Sequence, residues 1–218
     1  TAEGYAAKAY KANVLDKEVM EEVHKAVLAD FGPCDILING AGGNKAQATT
    51  GAELSFFDLD LDAFKWVFDL NVTGAVLTTM VFGELLAKQG YGNVINIASM
   101  ASYHPLTNTV AYCGAKAAVA NFTEWMAVHF NKNYSTNIRV NAIAPGFLLT
   151  TQNQFLMQKE DGTPTDRGQR VLDKTPMARY GQPEEMAGAV IWLCSDAASF
   201  VNGAVIPIDG GFSAFWGI

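Results

Sequence analysis

Tyr112 and Lys116 stand four residues apart in Ala111-Tyr112-Cys113-Gly114-Ala115-Lys116-Ala117-Ala118, and Ser99 lies thirteen residues before Tyr112, after the apolar run Val94-Ile95-Asn96-Ile97-Ala98. Residues i and i+4 of a helix share a face, so this spacing sets an ammonium beside a phenol. A phenol of ordinary pKa, about 10, is a poor base at neutral pH, and a neighbouring cation is expected to draw the pKa of Tyr112 down. Tyr112 can then pass a proton to or from an alcohol oxygen. Solvated helices also carry Tyr-x-x-x-Lys. Here Gly114, Ala115, Ala117, Ala118 and Ala120 suit close packing rather than exposure. A strand-like segment ends in Ser99, and strand ends in open α/β sheets are where ligands bind.

The elements that must position these residues alternate in period. Asp16 reads as the N-cap of a helix through about Leu28, with Val19, Val23, Ala26 and Val27 at helical spacing. Residues 9–13 read as a strand, 35–39 as a short buried strand, 61–88 as one long helix with Asn71 interrupting its apolar face, and 92–98 as a central strand. Residues 110–131 form the helix of Tyr112, followed by a strand over 138–143, a helix over 184–194 and a last strand over 204–208. Alternating strands and helices predict an α/β fold with a doubly wound parallel sheet and helices on both faces.

Composition fits one domain over 1–218. Half of the 218 residues are hydrophobic and 17% are charged, enough for a substantial core and too apolar for disorder. No repeat, low-complexity tract or linker divides the chain. A net charge of −7 without a Lys/Arg cluster argues against nucleic acid. No apolar stretch reaches the roughly 20 residues of a membrane span. Cys34, Cys113 and Cys194 are odd in number and widely spaced, which suggests reduced thiols and a cytoplasmic protein, with Cys113 as a packing residue. No His and Cys set has the spacing of a metal site.

Further motifs run along the chain: Asn39-Gly40-Ala41-Gly42, Asn71-Val72-Thr73-Gly74, Asn141-Ala142-Ile143-Ala144-Pro145-Gly146 followed by Thr150, Arg179-Tyr180-Gly181-Gln182-Pro183-Glu184-Glu185, and Ile208-Asp209-Gly210-Gly211. With Ser99, Tyr112 and Lys116 they resemble, in order, the signatures of the short-chain dehydrogenase/reductase family. Gly40 departs from that family's Asn-Asn-Ala-Gly turn. The resemblance implies a Rossmann-like fold, NAD or NADP as cofactor, a small-molecule substrate and a homotetramer. One part of the pattern is absent: no Gly-x-x-x-Gly-x-Gly or Gly-x-Gly-x-x-Gly follows a strand before residue 39. Residues 9–13 resemble the family's third strand, so the first strand, its helix and the second strand lie outside this sequence. We therefore expect these residues to belong to a longer native chain; otherwise the chain would be an inactive fragment.

The resemblance also assigns roles. Hydride passes between nicotinamide and substrate carbon, Tyr112 handles the proton, Ser99 holds the substrate oxygen, and Lys116 lowers the Tyr112 pKa and binds the nicotinamide ribose. Asn71 anchors a water linking Lys116 to solvent, if the helix is distorted there. Asn39, Ala41 and Gly42 line the adenine-ribose side, with Asn13 where the family commonly places Asp. Pro145, Gly146 and Thr150 frame the carboxamide, and Phe147 and Leu148 supply backbone contacts.

For the substrate, Gly40-Ala41-Gly42-Gly43-Asn44-Lys45 with Ala48-Thr49-Thr50, Asp161-Gly162, Arg167-Gly168 and the ending Asp209-Gly210-Gly211-Phe212-Ser213-Ala214-Phe215 resemble the family's sugar-acid branch, the D-mannonate oxidoreductases and fructuronate reductases. A hexuronate needs cations or amide donors for its carboxylate and polar partners for its hydroxyls. Asn44, Lys45, His104 and Arg167 are candidates beside Ser99 and Tyr112, although each also fits a plain loop role. The polar stretch 152–173 reads as a mobile lid. Phe212, Phe215, Trp216 and Ile218 are too apolar for a free tail and are expected at a subunit interface, while Trp125, Trp192 and Phe200 read as core or subunit contacts. A second reading is a binding or structural subunit in which catalysis was lost with the nucleotide loop.

Overall fold

In the computed structural model, which describes residues 4–151 and 153–217, strands β1 (Ile36–Asn39), β2 (Gly92–Ile97), β3 (Ile138–Pro145) and β4 (Val205–Ile208) pair in parallel in the order β1-β2-β3-β4. Parallel neighbours need crossovers. Here α2 (Leu61–Phe68) and α3 (Gly74–Gln89) join β1 to β2, and α4 (Val110–Asn133) joins β2 to β3. The last crossover carries α5 (Gln154–Met157), α6 (Asp166–Lys174) and α7 (Ala187–Cys194).

Strand side chains alternate between faces, and each face has its own helices. Leu37, Val94, Ile138 and Val140 pack with Val81, Phe82 and Leu86 of α3, Ala127 and Phe130 of α4, and Met20 of α1 (Lys17–Phe31). Ile95 and Ile143 point the other way, onto Leu193 and Val190 of α7. The sheet is thus flanked on both sides, as the sequence predicts. Asp16 caps α1 by accepting from Val19 N–H, and the helix runs past Leu28 to Gly32, which stops it with φ of 81°.

Residues 9–13 are not a strand. A strand persists only through its ladder, and no described strand lies beside this segment; side-chain bonds from Lys8 and Tyr10 to Asp30 tie it to α1 instead. The first edge of the sheet is open, with Ile36 and Ile38 exposed.

The expected helix over 61–88 is present but carries a π-turn over Asp69–Thr73 between α2 and α3. Leu61–Gln89 forms 29 residues of continuous helix, long and apolar enough to cross a membrane, in contrast to the sequence expectation. Its apolar face is used otherwise: Val67, Val81, Phe82 and Leu86 lie in the core.

Polar groups also cross the sheet. Asn39 Nδ2 donates to Asn96 Oδ1 at 2.8 Å, and Asn96 Nδ2 donates to Thr123 Oγ1 at 2.9 Å on α4. Asn96 is fully buried and is the middle link. Replacing Asn96 with Leu should destabilise the fold by about 2–4 kcal/mol, because it strands a buried donor and acceptor. Urea denaturation measures this, and an unchanged midpoint would mean the chain of bonds is dispensable.

Candidate active site

The end of β2 places the first side chain. Ser99 follows the strand as N-cap of a short 3-10 turn, its Oγ accepting from Ala101 N–H at 3.1 Å. Tyr112 enters from the first turn of α4, where the Ser99 hydroxyl lies near enough to lower its pKa. Gly114 lets that helix approach: a Cβ there would stand 3.0 Å from the ring of Phe68.

Lys116 lies one turn on, only 5% exposed, its Nζ 5.7 Å from the centroid of the Tyr112 ring and donating to Ile97 O at 2.7 Å. Burial lowers its pKa from 10.5 to about 8. Burial also raises the pKa of Tyr112, against the lowering effect of the Ser99 hydroxyl. This corrects the expectation that Lys116 draws Tyr112 down. A desolvated ammonium loses charge as readily as it stabilises a phenolate, so at neutral pH the site holds a protonated phenol.

Asn71 sits inside the π-turn and is 1% exposed. The local distortion expected of the helix is therefore present. Its Nδ2 donates to Val67 O and Gly43 O, both at 2.7 Å, and its Oδ1 accepts from Gly43 N–H at 3.3 Å. The side chain clamps the loop after β1. A Cβ on Gly42 would lie 2.7 Å from Asn71 Oδ1 and 3.3 Å from Lys116 Nζ, so glycine keeps that approach to the ammonium open. Ser99, Tyr112, Lys116, Asn71 and Gly42 therefore converge.

The remaining predicted residues divide. Ala41 and Gly42 form an exposed rim. The Asn39 side chain turns inward to Thr79 and Asn96, with Oδ1 buried and unpaired; its amide is structural rather than a cofactor contact. Asn13 is exposed and makes a local turn, accepting from Leu15 N–H at 3.1 Å. Pro145 ends β3 opposite Ile208, and a Cβ on Gly146 would lie 2.6 Å from Asp209 Cα. The carbonyl of Phe147 accepts from Gly181 N–H, and that of Leu148 from Asn153 Nδ2. Both carbonyls are spent on fixing the loop, which narrows the contacts expected of them. Thr150 N–H donates to Asn153 Oδ1 at 2.8 Å. Asn153 was not singled out in the sequence; its place three residues after Thr150 is the turn signal that marks it.

Of the substrate candidates, Lys45 lies over the ring of Trp66 at 4.2 Å and Asn44 Nδ2 donates to Thr49 Oγ1. His104 meets Trp216 edge-on at 5.7 Å, and Arg167 is exposed on the first turn of α6. The stretch read as a lid contains two packed helices: Met157, Val171 and Tyr180 form a buried cluster, and a Cβ on Gly168 would overlap Met157 O. Neither helix alone has a long apolar face, which hid this core; Gln152 lies outside the described residues. Phe212 packs on Phe147 and Trp216 meets His104 edge-on within the chain, while Phe215 and Trp216 stay exposed, 42% and 76%; Ile218 lies outside the described residues. Trp125, Trp192 and Phe200 are surface residues. Cys113 is buried, its Sγ accepting from Leu106 N–H, a packing role as expected.

A cleft of about 380 Å³ is lined by Phe147, Leu148, Met177, Arg179 and Asp209 beside the loop after β3. Arg179 pairs with Glu185 there, and the Asp209 carboxylate accepts from the N–H groups of Gly211 and Ser213, both at 2.9 Å. At Tyr112 and Ser99 two hydroxyls could hold one oxygen, and a phenol can give such an oxygen a proton. The exposed rim at Gly42, the ammonium behind it and the loop beyond Gly146 fit a ribose and its attached ring.

A family model described as enoyl-(acyl carrier protein) reductase matches residues 1–213. An oxidoreductase of Haemophilus influenzae that carries no more specific name is 51% identical over 99% of this chain and 78% of its own length. A solved H. influenzae structure, named provisionally as a D-mannonate oxidoreductase and holding NAD, is 49% identical with a TM-score of 0.91, covering 100% of this chain and 80% of the other. A Burkholderia cenocepacia gluconate 5-dehydrogenase solved with NADP and tartrate is 27% identical with a TM-score of 0.85, covering 98% and 78%.

Proposed function

The chain belongs to the short-chain dehydrogenase/reductase family and is an NAD(P)-dependent oxidoreductase of CH–OH groups; from that premise we propose that its substrate is a sugar acid of the D-mannonate/D-fructuronate type. The observation that carries the reaction is the convergence of Tyr112 and Ser99 on one another, with Lys116 buried behind them. The likeness to the H. influenzae structure supports the substrate class.

The substrate ketone oxygen is held by Ser99 and Tyr112. The nicotinamide, when bound, supplies or accepts the hydride. Tyr112 donates its proton to the oxygen as the alcohol forms and takes it back in the reverse direction. Lys116 binds the ribose through an ammonium that, among the described residues, donates to the Ile97 carbonyl, and Asn71 holds the water that links Lys116 to solvent. Gly146 and Thr150 frame the carboxamide, with Ala41 and Gly42 on the adenine side; Asn13 stays a contact on that side, and residues 1–218 act as one nucleotide-binding unit. These residues in place favour an enzyme over a silent subunit. Assembly as a cytoplasmic homotetramer belongs to the same proposal, supported by exposed Trp125, Val128, Ile191 and Phe200 on and beside α4 and α7.

The test is NADH and NADPH oxidation with D-fructuronate, beside neutral ketones and acyl thioesters. The expected result is turnover of the hexuronate with formation of the matching aldonate. Turnover confined to neutral ketones or thioesters would overturn the sugar-acid assignment and leave the oxidoreductase chemistry standing.

A further inference from the structure

We propose that Lys45, held on the face of Trp66, is the residue that selects a carboxylate-bearing substrate, with Trp66 as its positioning partner. The inference rests on the sugar-acid reading and adds to it the group that recognises the acid.

Four observations carry it. First, the Lys45 ammonium lies 4.2 Å from the centroid of the Trp66 ring. An aromatic face attracts a cation through its quadrupole without neutralising it, so the charge and the N–H donors pointing away from the ring stay available. None of the close ion pairs among the described residues includes Lys45.

Second, the backbone beneath Lys45 is fixed. Its carbonyl accepts from Ala48 N–H at 3.1 Å and Thr49 Oγ1 at 2.9 Å, while Asn44 Nδ2 donates to that same Thr49 hydroxyl at 3.0 Å. Two residues earlier, Asn71 clamps Gly43. A lysine with its stem so anchored loses less freedom on meeting an anion than one on a loose loop.

Third, the anchored loop adjoins the proton donor. Thr50 N–H donates to Asn108 O at 2.9 Å, two residues before α4 begins. Trp66 and Tyr112 flank one buried cluster of Ala48, Ala63, Val67 and Ala111. The ring beneath the cation and the phenol therefore pack against one and the same buried unit. An acid whose ketone is bound at Tyr112 can extend its carboxylate toward Lys45.

Fourth, the other candidate cations are less suited. His104 is engaged edge-on with Trp216, and Arg167 is exposed on a separate helix pair.

The test titrates the protein–NADH complex with D-gluconate and with D-glucitol, which differ in the carboxylate. Neither has a ketone, so no turnover intervenes. Wild-type protein is expected to bind D-gluconate more tightly. Lys45→Gln should weaken D-gluconate about 10- to 100-fold, the loss expected for a charge-assisted bond, and leave D-glucitol and NADH unchanged. Trp66→Leu should weaken D-gluconate several-fold, and Trp66→Phe, which keeps a ring, should restore most of it. With a hexuronate substrate the same changes should appear in KM and not in kcat.

Equal binding of the two probes to wild-type protein, or equal D-gluconate affinity in wild type and Lys45→Gln, overturns the proposal. Hexuronate turnover with an unmoved KM in Lys45→Gln overturns it too while keeping the substrate reading. A carboxylate preference lost in Lys45→Gln, in a protein that turns over no hexuronate, upholds the Lys45 and Trp66 pair and removes the substrate reading instead.

Discussion

Replacing Tyr112 with Phe should lower kcat for carbonyl reduction by about 10³-fold, within the range for loss of a general acid, while NADH affinity stays within about twofold. The ring keeps its packing against Ala48 and Ala111, so the fold should lose no more than the roughly 1 kcal/mol that one polar contact of the hydroxyl is worth. Single-turnover kinetics and a nucleotide titration separate the two effects. A variant that keeps most of its kcat would end the assignment of Tyr112 as proton donor. The direction of the pKa shift adds a second expectation. Because burial keeps the phenol protonated, reduction of the ketone should hold its rate up to alkaline pH, whereas alcohol oxidation, which needs the proton removed, should rise with pH.

Replacing Lys116 with Met should lower kcat/KM by about 10²-fold or more and should also change how stability depends on pH. The folded Lys116 titrates at about 8 against an ordinary value of 10.5. Between those pH values the unfolded chain binds more protons than the folded one, so wild-type stability rises with pH. Below pH 8 the full cost of burying the ammonium remains, on the order of 3 kcal/mol. Tyr112 has the opposite sign: its raised pKa contributes stability that is complete below pH 10 and lost above it. Denaturant midpoints taken from pH 7 to 10 should therefore climb in the wild type through pH 8 to 10 and stay nearly flat in Lys116→Met. Parallel slopes would show that Lys116 is not the group whose burial sets this dependence.

The likeness of β2, β3 and α4 to their sequence patterns has a simple cause. Runs such as Val94-Ile95-Asn96-Ile97 are buried on both faces, and the small residues of α4 allow its approach to Ser99. The strand expected over 9–13 failed because strand formation depends on a neighbour rather than on its own residues. The π-turn around Asn71 was an expectation of the family resemblance rather than of the residues themselves, and the two-helix core of 154–174 was illegible. Each is made by bonds or packing between segments, as with Asn71 to Gly43 and Met157 to Val171.

From the sequence alone came the parallel α/β architecture, the order of its elements and the identity of the Ser99, Tyr112, Lys116 and Asn71 set, because periodicity and short motifs are local properties of a chain. The tertiary structure alone decided the protonation of Tyr112, the inward turn of Asn39 and the seat of Lys45 on Trp66. Each depends on burial or on a partner distant in sequence: desolvation raises the Tyr112 pKa, Asn96 is 57 residues from Asn39, and an aromatic ring holds Lys45 without taking its charge.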